Sequence, residues 1–245
     1  MKTRKVIGRF LAALIVLAGC AAIGIVLFAN SAVRRTVESA GTKVLALPVE
    51  VEKARVSILG GSLALHEVAV DNPPKYEGHK LLVLREITVE AEAGSLLGKS
   101  VRIHDMQLDN MEVFVEQKGI RNNLYEAIEP LRAAREPTGK RLIIDKLAIT
   151  NVTVHIALTT IPGQPEGQAM TFQLEPITMT DVGRHERLDT PALIIKIVLA
   201  VATAVAEQSG DVLPREMIGD LSGILDKAID LGRVIFGPDG KHESP

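Results

Sequence analysis

Six histidines, one cysteine and 30 acidic side chains are the groups in this 245-residue chain that could do chemistry. His66 and His104 are the most suggestive, because each is followed by a carboxylate, Glu67 and Asp105, in matching local patterns. Zinc needs three or four converging ligands. A third copy of the pattern offers Asp145 and Lys146 at the same place, and a charged lysine does not ligate. The pairs therefore read as solvated turn or bulge residues, and no metal is expected. His79, His155, His185 and His242 have no partner at ligand spacing. The Gly-x-Ser-x-Gly elbow, the phosphate-loop motif and the dinucleotide fingerprint are all absent. A lone cysteine excludes a disulfide framework and a multi-thiolate site. The carboxylates fall at turn or alternating surface positions. No enzyme and no cofactor is expected.

The elements that would carry any site begin with an apolar run. Phe10 to Ala29 is 20 positions without a charged or hydrogen-bonding polar side chain, preceded by Lys2, Arg4, Lys5 and Arg9. At about 1.5 Å per helical residue that run spans about 30 Å, the thickness of a bilayer's hydrocarbon. It reads as an uncleaved signal anchor with its basic flank in the cytoplasm, which places Asn30 onward across the membrane. The alternative is a lipoprotein, since Leu17-Ala-Gly-Cys20 resembles a lipobox and would put a lipid on Cys20. Beyond residue 9 the chain holds 24 basic and 30 acidic side chains. That balance, with 3% aromatic residues, argues against nucleic acid and against capture by an anionic surface.

An internal repeat follows. Leu63-Ala-Leu-His-Glu-Val-Ala-Val-Asp-Asn72 aligns without gaps on Val101-Arg-Ile-His-Asp-Met-Gln-Leu-Asp-Asn110. A third copy runs from Leu142 to Asn151, and a weaker fourth from Phe172 to Asp181. Period-two alternation marks half-buried strands. The apolar parity switches inside each copy, at His66-Glu67, His104-Asp105 and Asp145-Lys146, and again at Asp109-Asn110 and Thr150-Asn151. Each switch requires a turn or a bulge. The coarse expectation is one sheet of about eight to ten strands, above the usual four to six. It would have one apolar face with no long helix between Val49 and Val182 to cover it.

The C-terminal part differs. Ala192 to Ala206 is apolar apart from Lys196 and Thr203, short for a membrane span. After Pro214, the residues Met217, Ile218, Leu221, Ile224, Leu225, Ala228, Ile229 and Leu231 recur at helical spacing. Two helices lidding the sheet, or helices lying on a membrane or partner, both fit.

Together these residues resemble the AsmA-like family of bacterial envelope proteins, related to TamB. The carriers are the basic N-terminus with its single apolar segment, the strand segments at 49–72 and 84–116, and the loop Gly94-Ser-Leu-Leu-Gly98. The run from Val101 through Gly119 to Asn123-Leu124 is the most telling. The resemblance implies a mainly β fold with α: an N-terminal transmembrane helix, a curved antiparallel repeat sheet forming an apolar groove, and C-terminal helices. The expected divisions are a basic tail (1–9), anchor (10–29), linker (30–48), β-repeat domain (49–182), helical segment (190–236) and tail (237–245). The implied role is binding phospholipid, and helping transfer it, in cell-envelope or outer-membrane biogenesis from the bacterial inner membrane, with the main domain periplasmic. The groove candidates are Leu63, Leu65, Val68, Val70, Ile103, Met106, Leu108, Val113, Val115, Leu147, Ile149, Val154 and Ile156. The other reading is a non-catalytic scaffold that binds envelope proteins or further copies of the chain. About ten strands at about 4.8 Å give a sheet about 45 Å wide, which one copy would not stretch between two membranes.

Overall fold

A computed structural model describes residues 28–76, 80–118, 121–132, 139–158 and 169–209. The apolar run up to residue 27, with Cys20, lies outside them, as do the segment 214–231 and the tail.

A helix, α1, is described from residue 28 to residue 45, where a linker was expected. Ser31, Thr36, Gly41 and Thr42 are weak helix formers, which hides the stripe of Val33, Val37, Gly41 and Val44. That stripe faces the core, with Val44 and Gly41 buried. Arg34 and Glu38 pair one turn apart at 3.7 Å.

The strands are β1 (Val49–Ser57), β2 (Ser62–Asp71), β3 (Lys80–Ala91), β4 (Ser100–Lys118), β5 (Arg121–Asn122), β6 (Arg141–Leu158), β7 (Ala169–Gln173) and β8 (Ile177–Val182). They form one curved, unclosed sheet in the order β1-β2-β3-β4-β6-β7, with β5 on β4 and β8 on β6. A 3-10 turn, Ala93–Leu97, joins β3 to β4, and α2 (Asn123–Ile128) lies between β5 and β6. The last described helix is α3 (Thr190–Ser209). Asp189 starts α3 by accepting the Ala192 N–H at 3.0 Å, and Pro191 suits the first turn.

The expected antiparallel sheet needs one correction. β4 and β6 pair in parallel, from Ser100 beside Arg141 to Gln117 beside Leu158. The segment between them supplies the crossover a parallel pair requires. The register offset equals the spacing between the second and third repeat copies, so equivalent residues lie side by side.

The parity switches are kinks inside continuous strands, not turns: each leaves one residue unpaired on both strands and the register unchanged, whereas the ladder's register shifts fall at Val70/Asp71 and Glu90/Ala91. Lys53, His66, Glu86, Asp109 and Thr150 are successive register partners and cross five strands in one line. Glu67, Asn110 and Asn151, each one residue past that line, take left-handed φ of 53°, 59° and 53°. A shorter line crosses between the pairs Ile103–Ile144–Val182 and Asp105–Lys146–Thr180, and there Asp181 has φ 54°. A non-glycine residue in that region costs about 1–2 kcal/mol, less for Asn and Asp. Without the kink at Asn110, the side chains of Met111, Val113 and Val115 would turn to the polar face. Burial of each is worth about 1.5–3 kcal/mol, so the strain is the smaller term and the kink wins.

The edge of β1 is sealed by α1. Val49, Val51 and Val56 donate their N–H groups to Thr42 Oγ1 (3.0 Å), Glu38 Oε1 (3.1 Å) and Asn30 Oδ1 (2.8 Å). Side chains of one helix thus occupy an edge that would otherwise template pairing with another chain.

Candidate functional site

Because the kinks are aligned and the register does not shift across them, the apolar residues form unbroken rows across the sheet. Val49, Val70, Leu82, Val113, Val154 and Phe172 are successive partners over six strands. Val56, Leu63, Val89, Met106, Leu147 and Met179 form a second row. All 13 residues expected to line a groove lie on this one face. Twelve are buried: Leu65, Val68, Val70, Ile103, Met106, Leu108, Val113, Val115, Leu147, Ile149, Val154 and Ile156. Leu63 is half-buried, at the rim.

α3 lies over that face. Its entry is fixed at one end, where Leu142 and Leu188 bridge, and at the other the Glu175 N–H reaches Gln208 Oε1 at 2.8 Å. Twenty helical residues span about 30 Å. Val198 and Val201 line a small cavity of about 30 Å³ with Val70, Val113 and Leu124. From Leu199 to Ala202 four successive residues are buried, so no side of the helix is open there. Such an all-round apolar helix belongs in a core or a bilayer. Among the described helices, α3 is also the one long and apolar enough to cross a membrane. The trough is therefore filled by protein, and a hollow opens at the end of the sheet. That hollow, about 300 Å³, lies between the ends of β1, β2 and β3 and is lined by Arg55, Val56, Leu63, Val89 and Glu90 among others.

Rows assigned by register would have added Leu82, Leu84, Ile87, Val89, Met111, Val152, Phe172 and Met179 to the candidates. The signal was present as a five-residue period, apolar-x-apolar-polar-polar, in β4 and β6. Along that period, Leu63 sits in the row of Met106 rather than of Val101. His66 and His104, equivalent in the sequence repeat, are consequently not neighbours.

The opposite face carries charge pairs that stitch strands together along the lines of kinks. Arg85 donates to Glu67 and Glu112, each at 3.0 Å. Asp145 accepts from Arg102 (3.0 Å) and lies 3.3 Å from His104 Nδ1 and 3.4 Å from Arg184. The Arg102 hydrogen bond, with lesser help from His104, holds the Asp145 carboxyl below the usual carboxylate range. Asp109 is likewise lowered, first by the Thr150 hydroxyl at 2.7 Å and then by the Asn151 amide at 2.8 Å. His155 stacks on Phe114 with ring centroids 4.9 Å apart. These carboxylates are engaged across strands in structural roles. Among the described residues, no group of three or more His, Cys, Asp or Glu side chains is placed to hold a metal ion.

The Asn122-Asn123-Leu124 run is a structural knot. Asn122 Oδ1 caps α2 by accepting the Tyr125 N–H at 2.7 Å. Asn123 is fully buried. Its Oδ1 accepts from the Glu116 and Leu124 N–H groups (2.8 and 2.9 Å), and its Nδ2 donates to the Phe114 carbonyl and Asn72 Oδ1 (2.7 and 2.8 Å).

Fold and site define a mainly β chain: a curved, open, one-sided sheet with its apolar face packed against helices. No protein-family model matches it, and no curated protein does.

Proposed function

We propose that this is a membrane-anchored, non-catalytic envelope protein. It binds phospholipid at the apolar face of its sheet and helps transfer it between envelope membranes, with α3 occupying the acyl-chain site in the form described. One observation carries this reading: a single apolar face is kept continuous across the sheet by aligned kinks, at the expense of left-handed backbone at Glu67, Asn110 and Asn151. The occupant of that face, α3, is as apolar as a bilayer-spanning helix, so acyl chains and α3 are chemically interchangeable there. The rim cavity beside Leu63 gives a starting point for entry.

The sequence carries six methionines, at 1, 106, 111, 170, 179 and 217, and Met106, Met111 and Met179 are buried on this face. Replacing methionine by its diazirine analogue in growing cells therefore places photo-crosslinkers in the trough without a mutation. The expected result after illumination of intact membranes is phospholipid adducts on peptides holding Met106, Met111 and Met179. Labelling of the Met1 peptide alone would overturn the reading.

A second reading is favoured by the coverage itself. If α3 never leaves, the same scaffold presents only its charged face, and the protein is an envelope scaffold for protein partners. Crosslinks from Met111 to α3 peptides, with no lipid adduct, are its signature.

A further inference from the structure

We infer that one end of the sheet rests on a lipid bilayer, with the Ile58-Leu59 tip and Leu97 dipped into its surface; this rests on the anchored reading above. Among the described residues the exposed large hydrophobic side chains are Phe28 (77% exposed), Ile58 (52%), Leu59 (96%) and Leu97 (92%). Single exposed apolar residues are ordinary on a protein surface, but a cluster marks an interaction site. These four come from three separate segments and converge on one end of the sheet. Ile58 and Leu59 form the tip of the β1–β2 hairpin, closed by Ser57 opposite Ser62. Leu97 ends the 3-10 turn between β3 and β4. The tip and the β3 end are held together where the Ala91 N–H donates to the Gly61 carbonyl at 2.7 Å. That approach is so close that a Cβ on Gly61, which has φ +66°, would lie 2.1 Å from the Ala91 oxygen. Phe28 is brought to the same end by α1, since Asn30 accepts the Val56 N–H one residue before the end of β1. At the opposite end of the sheet the described β2–β3 connection buries its aromatic residue, Tyr76.

The occupant is identified by what enters here. The uncharged run Phe10–Ala29, long enough to span hydrocarbon, terminates at Phe28 and Ala29, on this end and no other. An anchor leaving a bilayer at this point sets Leu59 and Leu97 beside the lipid surface, where apolar tips gain by burial. The rim cavity lined by Val56, Leu63 and Val89 sits immediately inward of the tips, so this end is also the one through which a lipid would reach the apolar face.

The test uses the full chain with Cys20→Ser, reconstituted into vesicles of phosphatidylethanolamine and phosphatidylglycerol containing bromine-labelled phosphatidylcholine. Leu59→Cys, Leu97→Cys and, at the far end, Pro74→Cys each carry a polarity-sensitive fluorophore. The substituted residues are exposed, so the fold is expected to tolerate them, and circular dichroism verifies it. The expected result is a blue shift and strong bromine quenching at 59 and 97, with neither at 74. If the chain floats with the vesicles but positions 59 and 97 quench no more than 74, the docking inference is overturned and the anchor stands. If the chain does not float, the anchored reading fails and this inference with it.

Discussion

Replacing Asn110 by Val tests how the sheet keeps one apolar face. Asn110 is exposed and sits at φ 59° between Leu108 and Met111, which are both buried. Valine is β-branched and adopts left-handed backbone poorly. The strand then has two options. It can keep the kink and absorb about 1–2 kcal/mol of backbone strain. Or it can straighten, which sends Met111, Val113 and Val115 to the polar face at about 1.5–3 kcal/mol each. The first option is cheaper by several kcal/mol, so the fold is retained and destabilised by about 1–2 kcal/mol. For a chain of this size that lowers the melting temperature by about 2–8 °C. Asn110→Gly relieves the conformational restriction and changes stability by less than about 1 kcal/mol. Thermal melts followed by circular dichroism of the full chain in mild detergent separate the three proteins. A Val variant as stable as the parent, or a Gly variant less stable than Val, would refute this account of the kink.

Three further outcomes follow from the same geometry. Asn123→Ala removes the side-chain partner of the Glu116 and Leu124 N–H groups and of the Phe114 carbonyl; at about 1–3 kcal/mol for a buried group left unmet, with the Leu124 bond the one fully buried, it should cost at least about 1–3 kcal/mol in a denaturant titration. Asp109 has its carboxyl lowered in the folded chain by Thr150 and Asn151, so its contribution is present above the unfolded value of about 4 and is lost as pH falls through the lower folded value; Asp109→Asn should flatten the acid side of a stability–pH profile and leave the neutral side parallel to the parent's. Glu186 accepts from Lys196 at 2.8 Å, both side chains being mostly buried, so Glu186→Gln should loosen the start of α3 and raise its hydrogen-exchange rate about fivefold, equivalent to about 1 kcal/mol, while β4 is unchanged.

Much of the sheet was legible in the sequence because period-two alternation is a direct image of a half-buried strand. Most strand segments, the flips at Asp109-Asn110 and Thr150-Asn151, and the one-sided apolar pattern could be read from residue types; the two-residue β5 could not, because Asn122 reads as a helix cap. Whether each flip is a turn or stays inside a strand could not be read either, since Asn and Asp serve both; only the unbroken pairing of β4 and β6 decides it. The parallel pairing was hidden for a related reason. Spacing between repeat copies gives the offset of two strands but not their direction, and the direction depends on the crossover through α2. The helix α1 was missed because its side chains at Asn30, Glu38 and Thr42 serve the edge of β1, and Asn30 and Thr42 are weak helix formers where a free helix would carry better ones. α3 was visible as an apolar segment, and its seat in the trough depends on tertiary fit at Val198 and Val201.

The most direct measurement of the central claim is native mass spectrometry of the full chain released from gentle detergent. The account predicts a folded protein carrying intact phospholipid that persists at energies sufficient to strip detergent. A folded chain that emerges bare from membranes rich in phospholipid would contradict it.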